Sequence, residues 1–334
     1  MLQIGTFAKL VRMAARRFPA RSRRAVPFAV LMTLAAAGVV SAARPPAPPY
    51  RPPPIRPVIS PARPGEGAWR AAGKPIAGGP PVLVTTYRPD AGNPSVVAYV
   101  AWIDHTRTQL ALYAGTGKPP FEFPRDQGEI PSGQRWRLLA AFNGGFAYGS
   151  HSGGGGGIAV GGHTYVWLQR GLGTLVGYRD GRIDVIAWRG GQTTGRGIAF
   201  ARQNLPLLVH DGRPGPDLAN QAVWGWTLGG GETVWRTGVG VDRRGNLVYA
   251  AADETTAGFA AILIRAGAVR AIELDINPQW PTFDVYAHRH GLLPSKFVPN
   301  PQQPATRYLS YPDLRDFFAV YRRVPGTPTT VPFR

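Results

Sequence analysis

The 334-residue chain contains no cysteine. Disulfides, thiolate catalysis and cysteine-ligated zinc are thereby excluded, while passage through an oxidising compartment is not. Acidic residues are scarce: 19 Asp and Glu stand against 38 Lys and Arg, and none of the acids falls within the first 64 residues. That opening stretch holds 11 of the basic residues, so the remainder carries 27 basic against 19 acidic groups, an excess of +8. These are scattered arginines with no Lys-rich arm and no nucleic-acid motif, so no nucleic acid is expected as a partner. An anionic glycan, a phosphate-bearing substrate or a membrane surface suits the charge equally. No repeat at solenoid periods is visible.

The first 64 residues divide into three parts. Residues 1–24 are basic, crowded by Lys9, Arg12, Arg16, Arg17, Arg21, Arg23 and Arg24. Residues 25–43, AVPFAVLMTLAAAGVVSAA, are uncharged and mostly apolar, close to the roughly 20 residues that span a bilayer as a helix. A basic flank before such a run predicts a signal peptide or an uncleaved anchor with its basic end in the cytoplasm. The anchor reading gives a cell-membrane protein with one N-terminal pass and an extracytoplasmic domain; cleavage near Ala42 gives a secreted one. Arg23 and Arg24 are either part of a twin-arginine signal or two more cytoplasmic charges. Residues 44–64 are dominated by proline, which predicts an extended linker, with an SH3-type ligand as the alternative. Residues 65–334 then suffice for one domain with a substantial core.

That domain reads as mixed α/β (α+β), a strand-dominated single domain with few helices. Strands are expected at 80–87, 95–104, 109–115, 135–145 and 205–215, a hairpin at 173–188 turning at Asp180-Gly181, and a strand pair at 233–253. A helix is expected at 255–267, where Phe259, Ile262, Leu263 and Ala266 share one face between Thr255 and Gly267. A second short helix is expected over 311–323. The glycine-rich stretch 151–165 superficially matches a dinucleotide fingerprint, but no helix pattern follows it, so a flap or plain loop is expected.

The run AIELDINPQWPTF (271–283) sets Glu273, Asp275 and Asn277 at alternate positions, with Ile272, Leu274 and Ile276 between them. On a strand the three polar groups share one face and the three apolar ones the other. Backbones two residues apart lie about 6.6 Å from each other at about 3.3 Å per residue. That is compatible with carboxyl pairs of glycosidases, which are about 5 to 9.5 Å apart, without choosing retention or inversion. A solvated sheet face is the alternative. In AAFNGGFAYG (140–149), Asn143 precedes Gly144 and Gly145, which allow either a plain turn or close approach of a ligand. Arg236 in WRTGVGVD (235–242) either reaches the surface or presents a fork of donors to a phosphate or carboxylate.

Taken in order, these segments resemble the phosphodiester glycosidase family, whose uncovering-enzyme-like members are N-acetylglucosamine-1-phosphodiester α-N-acetylglucosaminidases. FNGGF matches the family's Asn-Gly-Gly-Phe at Asn143–Phe146, LLVHDGRP its strand and turn around Asp211, WRTGVGVD its Arg-Thr-x-x-Gly, and AVRAIELD its Ala-x-Asn-Leu-Asp. Where the family continues Gly-Gly-Gly-Ser, this chain reads Ile276-Asn277-Pro278-Gln279, similar to an actinobacterial branch carrying Leu-Asp-Ile-Asn-Pro. The resemblance implies a phosphodiester-glycosidase-like fold and a hydrolase acting on a sugar 1-phosphodiester or cell-envelope glycan. It implies Asp275 as the central carboxylate; Glu273 stands where the family commonly has Asn and is expected as its partner from the carboxyl spacing, with Arg236 expected on the departing phosphate. Asn143 and Asn277 are expected on sugar hydroxyls or phosphate. Trp280 either stacks on a sugar or packs in the core. Gly144, Gly145, Thr237 and Asp211 complete the expected substrate-binding set. No cofactor or metal is assigned, although calcium suits converging carboxylates and carbonyls. Loss of the glycine turn leaves a second reading, a non-catalytic envelope protein that binds exopolysaccharide or assists its assembly.

Overall fold

In the computed structural model, residues 49–73, 76, 78–117, 127–148 and 155–324 are described. The basic segment 1–24, the apolar run 25–43 and the start of the proline tract lie outside them. Among the described residues no helix is long and apolar enough to cross a membrane.

Alternating and β-branched residues form strands that assemble into three antiparallel sheets. The largest has eight strands in the order Arg70–Ala71, Val82–Tyr87, Ala98–Ile103, Leu247–Glu254, Val234–Val241, Arg270–Glu273, Val209–His210 and Arg213–Pro214. A five-stranded sheet orders Gly291–Lys296, Phe283–Arg289, Leu138–Asn143, Phe317–Arg322 and Thr108–Tyr113. The other five-stranded sheet orders His163–Val166, Ile158–Val160, Ile198–Gln203, Gly173–Tyr178 and Ile183–Ala187. Period-2 alternation decides which face of the large sheet goes where. Tyr249 and Ala251 enter a core shared with the two smaller sheets, where Phe142, Phe200 and Phe318 meet them. Val248, Ala250 and Ala252 point the other way, onto Phe259, Ile262 and Leu263 of the helix Thr256–Arg265.

That helix begins as its sequence predicts. The Thr255 hydroxyl accepts the Gly258 N–H at 3.1 Å, and Gly267 at φ 98° ends it in the left-handed region. It can lie close to strand Val234–Val241 because a Cβ on Gly238 would come within 2.7 Å of the Phe259 ring. The described part of the proline tract does not stand free of the domain. Ile55 is buried in the helix-side core, its N–H donates to Gly67 O at 2.9 Å, and the Pro53 carbonyl accepts from Trp69 Nε1 at 2.8 Å.

Two expectations need correction. Residues 311–323 were expected to be helical, yet Phe317–Arg322 is a central strand between Leu138–Asn143 and Thr108–Tyr113. Its Phe-Phe-Ala-Val-Tyr run is aromatic and β-branched, and burial on both faces overrides the weak helix pattern. The expected strand 205–215 contracts to two two-residue strands around a tight turn, with Asp211 at φ 49° and Gly212 at φ 72°.

Phe142 joins the sheets. Its ring centroid lies 5.1 Å from those of Phe318 and Tyr249 and 5.8 Å from Phe283. Phe142→Ala should cost about 3 to 5 kcal/mol, measured by urea unfolding; a loss below about 1 kcal/mol would show that the sheets do not depend on this contact.

Candidate active site

The alternation that marks residues 272–276 does not survive folding. The strand ends at Glu273, and while Ile272 and Leu274 enter the core between the sheets, Ile276 turns to the helix-side core. Asp275 leaves the ladder at that break, but its backbone stays paired. Its N–H donates to the Thr237 hydroxyl at 3.0 Å, and its carbonyl accepts the Thr237 N–H at 2.8 Å. Thr237 is therefore a three-way junction, since its hydroxyl also accepts from Asn143 Nδ2 at 2.8 Å.

Asn143 is saturated. Its amide donates to Gly144 O and Thr237, and its Oδ1 accepts from the Tyr249 hydroxyl and the Thr282 N–H, both at 3.2 Å. An Asn side chain offers two donor hydrogens and two lone pairs, and all four are taken inside the protein. The residue holds two sheets together at the site instead of presenting itself to a sugar.

Two buried arginine–carboxylate pairs carry the expected acids. Glu273 is fully buried; its Oε1 accepts from Arg236 Nη1 at 2.7 Å, and its Oε2 is buried with no partner among the described residues. Burial pushes the Glu273 carboxyl up to about 7, with Arg236 opposing and the nearby Asp275 charge adding to the rise. Arg236 is itself sealed: Nε donates to Glu254 O at 2.8 Å and Nη2 to Glu232 O at 3.1 Å. The expected fork toward phosphate is thus turned inward, onto Glu273.

Asp275 is held from two sides. Its Oδ1 accepts the Asn277 N–H at 2.8 Å, and its Oδ2 accepts from Arg315 Nη2 at 2.5 Å. Burial raises its carboxyl above the ordinary value, opposed chiefly by Arg315. Arg315 also donates to Gly145 O at 2.8 Å, keeps a buried Nε without a partner among the described residues, and lies 4.9 Å from the Trp280 ring centroid. Its side chain is 15% exposed, against 4% for Asp275, so the guanidinium is the more accessible member of the pair. Trp280, half-buried, also has the Arg307 guanidinium 5.0 Å from its ring, and Arg307 is paired with buried Asp313. Asn277 turns its Oδ1 to the Gln279 N–H at 3.0 Å, shaping the loop that replaces the glycine turn.

Sequence reasoning missed the ion pair beneath Gly144 and Gly145. Arg202 donates from Nε to Asp316 Oδ2 at 2.7 Å and from Nη2 to Asp316 Oδ1 at 3.1 Å, both side chains being essentially inaccessible. A Cβ on Gly144 would sit 1.8 Å from Asp316 Oδ2, and one on Gly145 would sit 2.9 Å from the Arg202 guanidinium. Those glycines admit a buried ion pair. Asn204 was missed as well; its amide donates to the Glu273 carbonyl at 2.7 Å and the Leu274 carbonyl at 3.0 Å. Asp211 is not part of this constellation. It stands exposed beyond strand Val209–His210, in the turn whose Gly212 N–H donates to the Val269 carbonyl, whereas Glu273 ends strand Arg270–Glu273 at its other end and Asp275 follows it. Among the described residues no group of three His, Asp or Glu is placed to hold a metal.

The sign of the Glu273 shift has a stability consequence. Its folded value of about 7 exceeds the ordinary 4.5, so between these values the folded chain holds a proton that the unfolded chain has released. Its contribution to stability is full below about 4.5 and is lost as pH rises through about 7. Glu273→Gln should therefore lose less melting temperature than wild type between about pH 5 and pH 8; parallel losses would contradict the raised value.

Residues 137–275 match the family model described as phosphodiester glycosidase. Among solved structures, the chain is similar to the zebrafish N-acetylglucosamine-1-phosphodiester alpha-N-acetylglucosaminidase catalytic domain auto-inhibited by its pro-peptide. Identity there is 16% and the TM-score 0.47, over 76% of this chain and 88% of that one. It is also similar to a hypothetical protein from Synechocystis, at 14% identity and TM-score 0.41, over 76% of this chain and 64% of that one. No curated protein matches its sequence. The matched segment includes Asn143, Arg202, Arg236, Thr237, Glu273 and Asp275, while Arg315 and Asp316 lie beyond it. The family model supports the resemblance read from the sequence: residues 137–275 carry the phosphodiester glycosidase family signature.

Proposed function

We propose that this protein is a hydrolase that cleaves a sugar 1-phosphodiester, or a related cell-envelope glycan, at the anomeric carbon. We place it outside the cytoplasm, held at the membrane through residues 25–43 or secreted after cleavage near Ala42. The observation that carries the reading is Asp275: a buried carboxylate at the end of the family's matched segment, fixed by Thr237 and Asn277, with Arg315 as its gate to solvent.

The chemistry follows from the leaving group. Breaking the bond between the anomeric carbon and the ester oxygen releases a phosphate monoester, far less basic than a sugar alkoxide. Strong general-acid help is then unnecessary, and the demand falls on stabilising an oxocarbenium-like centre and taking a proton from the attacking water. Asp275 is assigned both tasks. Arg315 takes the phosphate role expected of Arg236, because it is the guanidinium that reaches solvent. A phosphate drawing on Arg315 loosens its hold on Asp275 Oδ2 and frees that oxygen for water. Arg236 is a positioning residue for Glu273. For a glycan, whose leaving group needs a proton, Glu273 with its carboxyl near 7 is the acid, and its buried Oε2 must first be uncovered to meet the substrate.

A second reading is favoured by one observation: Glu273 and Asp275 are 0% and 3% exposed, while Trp226 and Trp167 are 61% and 66% exposed. Such aromatics suit stacking on sugar rings in a protein that binds exopolysaccharide without cutting it.

Asp275→Asn should reduce release of sugar from a panel of sugar 1-phosphodiesters on the order of 10²- to 10⁴-fold, assayed below the variant's own melting transition. Turnover retained in this variant, or absent from wild type alongside intact glycan binding, would move the assignment to the binding protein. Arg315→Gln should raise KM for phosphodiesters more than for arylglycosides. With a glycoside, activity should rise as Asp275 ionises above the ordinary carboxylate range and fall through about pH 7 as Glu273 loses its proton, the two apparent values belonging to the coupled pair.

A further inference from the structure

At the far end of strand Val234–Val241 from Arg236, roughly 17 Å along the strand, lies a cavity of about 530 Å³. It is built from three pieces of chain that the candidate active site does not use. The turn after the strand contributes Arg243 and Arg244, the C-terminal end of helix Thr256–Arg265 contributes Arg265, and the proline tract forms a wall from Tyr50 to Arg56. The wall is seated: Ile55 is buried, and the Tyr50 ring meets Trp102 edge-on at 6.1 Å.

Four arginines therefore converge on this cavity, and all four are exposed. Among the described residues none of them pairs with a carboxylate. The lining's one acid, Asp242, is occupied by its own turn. Its Oδ1 accepts the Arg244 and Asn246 N–H groups at 2.8 and 2.9 Å, and its Oδ2 accepts from Asn246 Nδ2 and Trp102 Nε1 at 2.9 and 3.1 Å. Arg244 is oriented by the Tyr50 ring, with its guanidinium 4.2 Å from the centroid. Favourable placement at a helix C-terminus accounts for Arg265 alone; it does not account for Arg56, Arg243 or Arg244 gathering round the same hollow. Such a concentration of uncompensated charge on low-dielectric walls focuses a positive potential, and guanidinium forks match phosphate oxygens.

We infer that this cavity is a binding site for a phosphate-bearing anion, distinct from the candidate active site. Two sources supply that chemistry, a soluble phosphate ester and an anionic lipid headgroup. The lipid source accords with the proposed membrane anchor at residues 25–43.

The test uses the full chain as wild type, as Arg243→Gln/Arg244→Gln and as Asp275→Asn. Inorganic phosphate and glycerol 1-phosphate are titrated by calorimetry, and flotation is measured with vesicles of phosphatidylcholine alone and mixed with phosphatidylglycerol. Binding of the soluble phosphates is expected in wild type and Asp275→Asn, weakened at least about tenfold in the double-arginine variant and by added salt. Sugar release by the double variant should stay at the wild-type level, so that failure of this site and failure of the proposed hydrolase are told apart. Preference for the phosphatidylglycerol vesicles, removed in the double variant, identifies a lipid source; phosphate binding without that preference identifies a soluble one. No phosphate binding, or equal binding by the double variant, would overturn the inference.

Discussion

The candidate site depends on one hydroxyl. Thr237 sits in the large sheet, accepts from Asn143 of a second sheet and from the backbone of Asp275, and exchanges further backbone bonds with residues 274 and 275. The strand has already ended at Glu273, so without this junction the segment carrying Asp275 would have no ladder to fix it. A buried polar network in which every partner is satisfied specifies one arrangement, and here that arrangement sets where the central carboxylate stands.

Charge is then buried around that frame in pairs. Glu273 meets Arg236, Asp275 meets Arg315, Asp316 meets Arg202 and Asp313 meets Arg307. Each carboxylate and guanidinium is costly to desolvate alone and tolerable with its partner, so such pairs define geometry more than they add stability. The pairs differ in where they face. Arg202–Asp316 and Arg236–Glu273 are closed, whereas Arg315 is the member of the group that leads outward. In the proposed function, accessibility and not residue type moves the phosphate role from Arg236 to Arg315.

Much of the architecture was legible in the residues because its signals are local. The Asp180-Gly181 hairpin, the strand pair joined across Arg243–Asn246, and the helix between Thr255 and Gly267 each announce themselves within a few positions. The site was legible where it is local too: Glu273 and Asp275 stand two apart in one run, and Asn143 and Thr237 sit in short motifs. What escaped was long-range. Arg202 finds its partner 114 residues away, and Arg315 reaches Asp275 across 40. Arg315 and Asp316 also lie within the segment expected to be helical, directly before the Phe317–Arg322 strand that exists because two neighbouring strands cover it. The glycines after Asn143 read as room for a ligand, and only the packed structure reveals an ion pair in that space.

The account makes Asp275 and Arg315 act at the anomeric carbon, which separates it from a phosphodiesterase that attacks phosphorus. The most direct measurement is hydrolysis of a sugar 1-phosphodiester in ¹⁸O-labelled water, with the products analysed by mass spectrometry. The account predicts the label on the anomeric hydroxyl of the released sugar and none in the phosphate monoester. Label in the phosphate would place the bond cleavage at phosphorus and contradict the assignment of the site.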